Sequence, residues 1–488
     1  MTMANEKSNS NKGFTYLIKL LAGPIVFALL AFVIHFPGME QNAQNVLGIF
    51  GWMIVWWATQ PIPWMPTCLL PLILLPGLNG MKLAAVASTI YGQRIFFLLL
   101  FVFMMGEPIR RYKLGERVAM NILSIKWING SVNRFVLVYM LTSVVLQAAF
   151  GIAGTIVAAP IGAAVLTYTM GEYEKAGTSY RKGKLCAYVI LAGCYGSLAG
   201  GFCTMHAIPH NAMVQSLVEE LTGYSTTYFQ WSLMGIPLAI LFVAAAYLIL
   251  RGIYGKYVTE IPGGEAYFQL KKAELGPMGP QEKRLAVTLL ITIVIWASTS
   301  FVTVFSIDFY SVSYIGILLM FLVPADLKSG KGLFEAADLK KLNWNIIFLI
   351  TTAVGFSGLM QEVGLIQYIS DALAGVNGPV LLLIAAFVTP LMTNFLPGMA
   401  TAVAMATLLL PLCVSAGINP VMLGRIIPTM SMGFCLPWAG TLSAIYFGTD
   451  MLEMKEMLKT GIVVTIVLGV LAMLYSYLIP AFGAYITI

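Results

Sequence analysis

The chain has 488 residues, of which 59% are hydrophobic and 10% are charged, and its net charge is +7. A soluble domain carries about 25% charged residues, so the composition excludes an ordinary soluble protein. The basic residues cluster in short polar segments between apolar runs, which indicates loops at a membrane surface and no nucleic-acid partner. Apolar runs recur at 20–36, 136–149, 231–250, 285–296 and 462–481. Because a helix needs about 20 apolar residues to cross the hydrocarbon core, these runs predict an all-α polytopic protein in the lipid bilayer.

The N-terminal segment is polar and weakly basic. No apolar core with a small-residue cleavage site precedes Gly13, so we expect no cleaved signal peptide. The apolar run from Phe14 predicts a retained first helix, and residues 1–44 form a tail and this helix. Later polar segments are rich in Lys and Arg, and neither follows Lys459. By the positive-inside rule, we expect the N-terminus inside, the C-terminus outside and a multi-pass protein in the cytoplasmic membrane of a prokaryote.

The remaining chain divides into two halves at a polar stretch. This cytoplasmic linker covers 254–284, with repeat 1 at 45–253 and repeat 2 at 285–488. Each repeat contains a short apolar stretch with an interruption, at 96–108 and at 344–364. Such stretches are too short for two full spans and fit re-entrant hairpins, whose non-helical backbone is surrounded by protein or water.

Two interrupted apolar segments in each repeat resemble those of the other repeat. Repeat 1 has FGIAGTIVAAP at 150–160 and GGFCTMHAIPHN at 200–211, and repeat 2 has TAVAMATLLLP at 401–411 and LPWAGTLSAIYFG at 436–448. Glycine, proline and small residues at corresponding positions of two halves are typical of the broken helices that form the substrate site of inverted-repeat transporters. The pattern therefore predicts a secondary transporter.

Ionisable residues within apolar segments are functional candidates. His206 and His210 are four residues apart and would share a face of a helix. An ordinary pKa of about 6.5 suits them to proton coupling; the alternative is neutral histidines bonded to backbone groups. Glu107 follows the first short apolar stretch and could couple to a proton or a cation, or else pair with Arg110 or Arg111.

Several uncharged residues have two interpretations. Asn394 precedes a turn-like break at 395–398, and it could form a hairpin tip or act as a cap. Thr155 and Gly154 could form the corresponding tip in repeat 1, or pack helices together. We expect Gln147 to make a buried interhelical hydrogen bond.

Five segments in the correct order carry a resemblance that covers nearly the whole chain. They are VLGIFGWMIVWWATQPIPWMPTCLLPLILLPG at 46–77, KLGERVAMNIL at 113–123, LGPMGPQEKRLAV at 275–287, LKKLNWNIIFLI at 339–350 and AIYFGTDMLEMKEMLKTG at 444–461. The chain resembles the divalent anion/sodium symporters (dicarboxylate, citrate and sulfate transporters) of the ion transporter superfamily. The resemblance implies two inverted repeats, each with a re-entrant hairpin and a broken helix, in an elevator-type homodimer. It also implies dicarboxylate, tricarboxylate or sulfate-like substrates, usually carried with sodium.

The chain departs from the motifs of this family. Members place Ser-Asn-Thr at each hairpin tip, ten residues before a proline; the corresponding residues are 150–152 and 401–403, of which Thr401 alone keeps a hydroxyl. The family's Thr-Pro-Pro-Asn corresponds to 208–211 and 440–443. Because a hard cation needs several oxygen ligands, we expect sodium binding to be weak or absent.

On this resemblance, the predicted site combines small and polar residues of both repeats. The predicted substrate-binding residues are Gly151, Thr155, Pro209, Asn211, Asn394, Thr401, Gly440 and Thr441. A weak sodium site is predicted at Gly151, Gly200 and Thr401, and proton coupling at His206 and His210. Half-helix N-termini bind anions through backbone N–H groups, so such a site needs few cationic side chains.

The sequence therefore predicts a secondary active transporter of small anions, foremost di- or tricarboxylates. Sodium coupling is expected to be weakened, or replaced by exchange or proton coupling. A sodium/proton antiporter of the same superfamily and an anion channel are the alternatives, although no pair of Asp residues lies in apolar sequence and no filter sequence is evident. An enzyme is not expected, because no HExxH motif or nucleophile–base set is present. The six cysteines lie in apolar stretches without a CxxC pair, which favours small buried side chains; we expect no metal site and no cofactor other than sodium ions.

Overall fold

The computed structural model describes residues 2–482, apart from 129, 178–179, 258–259, 261–263, 300–308, 329, 373–376 and 395. The described residues form helices almost throughout, which confirms the all-α prediction. Their one sheet is a small antiparallel pair, β1 (Pro324–Asp326) and β2 (Lys331–Gly332).

Helices of the first half run from the N-terminus to the polar linker. They are α1 Thr2–Ala28, α2 Gln41–Thr59, α3 Trp64–Thr67, α4 Leu70–Asn79, α5 Leu83–Tyr91, α6 Ile95–Arg111, α7 Leu114–Leu123, α8 Val132–Phe150, α9 Ile152–Lys175, α10 Lys182–Cys203, α11 Pro209–Thr222 and α12 Tyr228–Tyr254. A π-helical turn, Leu29–Val33, extends α1, and a 3-10 turn lies at Lys126–Ile128.

Helices of the second half begin within the linker. They are α13 Gly264–Glu274, α14 Pro280–Ser298, α15 Phe309–Leu322, α16 Trp344–Glu362, α17 Leu365–Ala372, α18 Gly378–Leu383, α19 Thr389–Thr393, α20 Gly398–Ser415, α21 Pro420–Met430, α22 Thr441–Phe447 and α23 Met454–Ser476. A π-helical turn, Ile384–Val388, joins α18 to α19, and 3-10 turns lie at Ala336–Lys341, Pro437–Ala439 and Ile479–Phe482.

The apolar helices give the protein the character of a multi-pass membrane protein. Within the described part of the chain, 7 helices are long and apolar enough to span a membrane, or 8 if α5 and α6, which meet at 45°, form one bent span. Large apolar side chains such as Ile240, Leu290 and Ile466 remain exposed on the outer helices. Exposed apolar surface of this extent is unfavourable in water and fits contact with lipid.

The first helical hairpin consists of α8 and α9. It turns at Gly151, whose φ of +59° and ψ of −143° suit glycine far better than any other residue. The helices touch at the tip, because a Cβ on Gly154 would lie 2.1 Å from the carbonyl oxygen of Leu146. The break at 150–152 thus coincides with the tip predicted for repeat 1.

The first broken helix consists of α10 and α11. The most apolar 18 residues of α10 are entirely buried, and this helix packs against α8 and α12. The helix stops at Cys203, and α11 starts again at Pro209. Proline favours the first helical position because its fixed φ suits the helix and its missing N–H would have no helical partner there.

The second half repeats this order of elements. A helical hairpin of α18–α19 and α20 is followed by a broken helix of α21 and α22. The second tip lies between Thr393, the last residue of α19, and Gly398, the first residue of α20, and the second break lies at 431–440. The predicted pairing of a hairpin with a broken helix in each half is therefore confirmed. The predicted position of the second tip is wrong, because residues 401–403 lie inside α20. Asn394, the alternative, directly follows α19 and lies at the tip.

Two other predicted interruptions do not form hairpins. In the stretch 96–108, α6 continues through Gly106 and Pro108 to Arg111. Pro108 lies in the last turn of α6, where its missing N–H removes one hydrogen bond at most. In the stretch 344–364, α16 is a single helix that ends at Glu362. The hairpins lie later in each half.

Candidate functional site

Both hairpin tips and both helix breaks border two adjoining cavities. The first cavity has a volume of about 250 Å³ and the second about 370 Å³. Residues that line both cavities come from the first tip, the start of α11, the start of α16 and the start of α22. They are Ile152, Pro209, Asn343, Ile346 and Thr441. The site therefore lies where elements of the two halves converge.

A hydrogen-bonded network joins the first tip to the first break. Gln147 donates from Nε2 to the carbonyl oxygen of Ala207 at 2.7 Å, so the predicted buried hydrogen bond is confirmed. Thr155 donates from Oγ1 to Gln147 Oε1 at 2.5 Å. Both side chains are fully buried, and neither lines a cavity. The structure thus places Thr155 behind the tip.

His206 holds the first tip against the surrounding helices. Its Nε2 donates to the carbonyl oxygen of Ala149 at 3.3 Å, and its Nδ1 accepts from the hydroxyl of Tyr228 at 3.2 Å. Its ring stacks on Trp296, with the ring centroids 5.2 Å apart. This pair of bonds matches a neutral imidazole with the proton on Nε2. For His206, the structure therefore favours the alternative of a histidine bonded to backbone.

His210 has a different environment. It is the second residue of α11 and lines the second cavity, whereas His206 lies in the non-helical break and lines the first. The two histidines therefore do not share a helix face. Within the described part of the chain, neither ring nitrogen of His210 has a hydrogen-bond partner. An unpaired imidazole next to a cavity can bond to a polar molecule that enters it.

Asn211 and Pro209 occupy neighbouring places with different roles. Pro209 lines both cavities. Asn211 is buried and donates from Nδ2 to the carbonyl oxygens of Gly201, at 2.7 Å, and Thr204, at 2.9 Å. The amide therefore holds the break in shape from behind the cavity wall.

Two glycines allow close backbone contacts at the second tip and the second break. A Cβ on Gly398 would lie 2.3 Å from the carbonyl oxygen of Ser431, so the tip lies directly against the break. A Cβ on Gly440 would lie 1.9 Å from the carbonyl oxygen of Met432, a contact within the break itself. Gly440 lines the second cavity. At these distances any side chain would force the backbone apart.

The other predicted residues of the second tip face inward. Thr401 is fully buried, and its Oγ1 has no hydrogen-bond partner among the described residues. Asn394 donates from Nδ2 to the carbonyl oxygen of Pro390 in the preceding helix, α19, at 2.7 Å. Neither side chain lines the two cavities.

Gly200 packs helices together. A Cβ on this residue would lie 2.6 Å from the carbonyl oxygen of Val144 and 2.7 Å from the Cβ of Gln147. It therefore allows α10 to lie directly against α8, and it is not among the residues that line the cavities.

Charged residues border the first cavity. Arg110 donates to Glu107 at 2.7 Å, and Lys341 donates to the same carboxylate at 2.6 Å; all three side chains line the cavity. The predicted pairing of Glu107 with Arg110 is confirmed. Arg111, 3.4 Å from Glu107, also donates to Asp338 at 2.5 Å. Burial opposes the charged form of Asp338, but hydrogen bonds from Arg111, the Glu335 backbone and Lys341 outweigh burial and lower its pKa.

Two membrane-embedded halves, each with a helical hairpin and a broken helix around a shared cavity, define a polytopic secondary transporter. Residues 14–482 match the family described as the sodium:sulfate symporter transmembrane region. The chain therefore belongs to this family, and it is a membrane transporter and not an enzyme. The predicted resemblance is confirmed.

Relatives and a solved structure agree with this assignment. A sodium-dependent dicarboxylate transporter, SdcS, of Staphylococcus aureus strain USA300 is 27% identical over 96% of this chain and 93% of the relative. SdcS of Staphylococcus saprophyticus is 26% identical over 100% of this chain and 96% of the relative. The crystal structure of the YdaH transporter of Alcanivorax borkumensis has a TM-score of 0.52 at 13% identity, over 82% of this chain and 89% of that chain, and it supports the fold.

Proposed function

We propose that this protein is a secondary active transporter of small di- or tricarboxylates across the cytoplasmic membrane. The shared cavity carries the proposal. Volumes of about 250 and 370 Å³ accommodate a small organic anion, and the N-terminal end of α11, at Pro209, borders both cavities. A helix N-terminus attracts negative charge. The dicarboxylate transport named for the SdcS relatives supports the same substrate class.

Electrostatics at the cavity edge favour an anion. Arg110, Arg111 and Lys341 surround Glu107 and Asp338, so this cluster has a net charge of +1 when all five groups are ionised. A net positive charge at the edge of a cavity raises the local concentration of an anionic substrate.

We assign direct substrate contact to Pro209, His210, Gly440 and Thr441, which line the cavities. Gly151, Thr155, Asn211, Asn394 and Thr401 shape the tips and breaks behind them.

The proposed organisation follows the helices. Repeat 1 covers 45–253, the linker 254–284 and repeat 2 285–488. The end of α12 at Tyr254 and the start of α14 at Pro280 support this division. The basic loops favour the N-terminus inside and the C-terminus outside, and a homodimer is proposed from the family resemblance.

Uptake into proteoliposomes tests the function. The vesicles are loaded with unlabelled succinate, malate, citrate, 2-oxoglutarate or sulfate, and uptake of the matching labelled anion is measured with and without sodium. We expect saturable uptake of di- or tricarboxylates that internal substrate accelerates and that depends weakly on sodium. Non-saturating conductance would favour a channel. Sodium-driven proton movement without any anion would favour an antiporter.

A further inference from the structure

The carbonyl oxygens at the first tip and first break accept hydrogen bonds from side chains of the protein itself. In transporters with broken helices, such unwound carbonyls coordinate the coupling cation. Here Ala207 accepts from Gln147 Nε2 at 2.7 Å. Ala148 accepts from Thr204 Oγ1 at 2.8 Å, and Ala149 accepts from His206 Nε2 at 3.3 Å. Three carbonyl oxygens at this contact are thus engaged by side-chain donors of the protein.

Gln147 is the central donor of this network. It lies in the last turn of α8, is fully buried, and reaches across 60 residues of sequence to Ala207. Thr155 of α9 donates to Gln147 Oε1 at 2.5 Å. A donor at the amide oxygen leaves the amide nitrogen to face the carbonyl of Ala207, which fixes the orientation of the amide group.

The tip offers no side-chain oxygen to compete with this amide. A Cβ on Gly151 would lie 3.4 Å from the carbonyl oxygen of Ala207 and 3.5 Å from that of His206, so tip and break are in close contact. From this close contact we propose that the amide nitrogen of Gln147 takes the place of a coupling cation between the first tip and the first break. This inference rests on the proposed transport function. The first half of the site is then assembled without sodium.

Side chains of the protein also donate to the backbone carbonyl oxygens at and just beyond the C-terminal end of α10. Asn211 bonds to the carbonyls of Gly201 and Thr204, and Arg425 of α21 donates from Nη2 to the carbonyl oxygen of Phe202 at 3.0 Å. Arg425 is buried and lies 4.1 Å above the ring of Trp231. The C-terminal end of a helix attracts positive charge, and a guanidinium of the protein supplies it here.

The glutamate variant Gln147→Glu provides a sharp test. It keeps the shape of the side chain but replaces the donor by a carboxylate, which cannot bond to the carbonyl of Ala207 and leaves oxygens that favour a cation. At alkaline pH in detergent, we expect sodium chloride, compared with choline chloride, to raise the Tm of Gln147→Glu by about 3 °C more than that of the wild type. Gln147→Met removes the donor without adding a ligand. It should lower Tm equally in both salts.

The outcomes separate this inference from the proposed function. Equal sodium shifts in Gln147→Glu and Gln147→Met would overturn it. If Gln147→Glu cannot be purified, the wild type decides: sigmoidal stabilisation by sodium, which indicates two bound ions, would overturn it, and a hyperbolic or absent response would support it. Because Tm is measured without substrate, failure of anion uptake with the expected Tm shifts would refute the transport proposal alone.

Discussion

Asn211 and Ser443 occupy equivalent positions in the two halves of the protein. Each donates to the carbonyl oxygen ten residues before it, Asn211 to Gly201 at 2.7 Å and Ser443 to Gly433 at 2.5 Å. Both side chains are buried, and both follow the break of a broken helix. The internal repeat therefore extends to the hydrogen bonds that hold each break in shape. The amide has a second hydrogen atom, which bonds to Thr204 at 2.9 Å.

Truncation of these two residues should destabilise the halves unequally. Asn211→Ala removes two hydrogen bonds: the carbonyl of Gly201 loses its side-chain donor, and that of Thr204 keeps the N–H of Ala207 alone. We expect it to lower the free energy of unfolding by about 2 to 4 kcal/mol. Ser443→Ala removes one such bond, that to Gly433, at a cost of about 1 to 2 kcal/mol. Thermal unfolding in detergent measures both. The matched variant Asn211→Ser keeps one donor and should fall between them; equal losses for the two alanine variants would contradict this assignment.

Replacement of His210 should alter substrate affinity more than stability. Its ring nitrogens are unpaired among the described residues, and it lines the second cavity, so we expect them to bond to the anion. His210→Ala should raise KM for the transported anion by about tenfold, the value of one hydrogen bond to a charged group. Saturation curves of proteoliposome uptake give the KM.

His206 provides the contrast. His206→Phe keeps an aromatic ring against Trp296 but loses the bonds to Ala149 and Tyr228. This variant should lower Tm and leave KM close to that of the wild type. A large change of KM in His206→Phe with none in His210→Ala would reverse the roles of the two histidines.

Acid should weaken the ionic contact between α6 and the 3-10 turn before α16. Because the pKa of Asp338 is lowered in the folded protein, its carboxylate contributes stability above its ordinary pKa. That contribution is lost as the pH falls through the lower, folded-state pKa. Asp338→Asn should cost about 1 to 3 kcal/mol at neutral pH and flatten the loss of Tm in acid. The exposed Asp450→Asn is the matched control and should leave this profile unchanged.

A methyl group at the second tip should separate the tip from the break. In Gly398→Ala the new Cβ would lie 2.3 Å from the carbonyl oxygen of Ser431, so we expect a loss of about 1 to 3 kcal/mol in stability together with a lower rate of uptake. Gly171→Ala, also within a helix, meets no atom within 4 Å and should change stability by less than about 1 kcal/mol. Similar behaviour of the two variants would contradict the close approach at Gly398.

The apolar runs were sufficient to predict an all-α membrane protein, and the family resemblance placed the first tip at 150–152. Gly151 interrupts an apolar run, and the structure turns there. The second tip was misplaced because the predicted position relied on the distance to Pro411, whereas the chain turns earlier, between Thr393 and Gly398. The stretch around Gly106 and Pro108 was misjudged for a related reason: a proline in the last turn of a helix removes too few hydrogen bonds to end it.

The roles of single site residues depend on distant contacts that no spacing reveals. Gln147 bonds to a carbonyl 60 residues away, and Arg425 to one 223 residues away. Sequence reasoning identified Gln147 as buried and polar but did not select it for the site, and it did not single out Arg425. An arginine within an apolar segment is nevertheless a signal of function in a membrane protein.

Arg425 also has an electrical consequence. Arg425 belongs to the second broken helix and bonds to the first, at the carbonyl of Phe202. Its positive charge would therefore move with the two broken helices when they move together. Displacing one elementary charge through a membrane potential of about 100 mV involves about 2.3 kcal/mol. In an exchange cycle the charge crosses the field in both directions, so the carrier would generate transient currents, without net current from this residue, even when its cargo is electrically balanced.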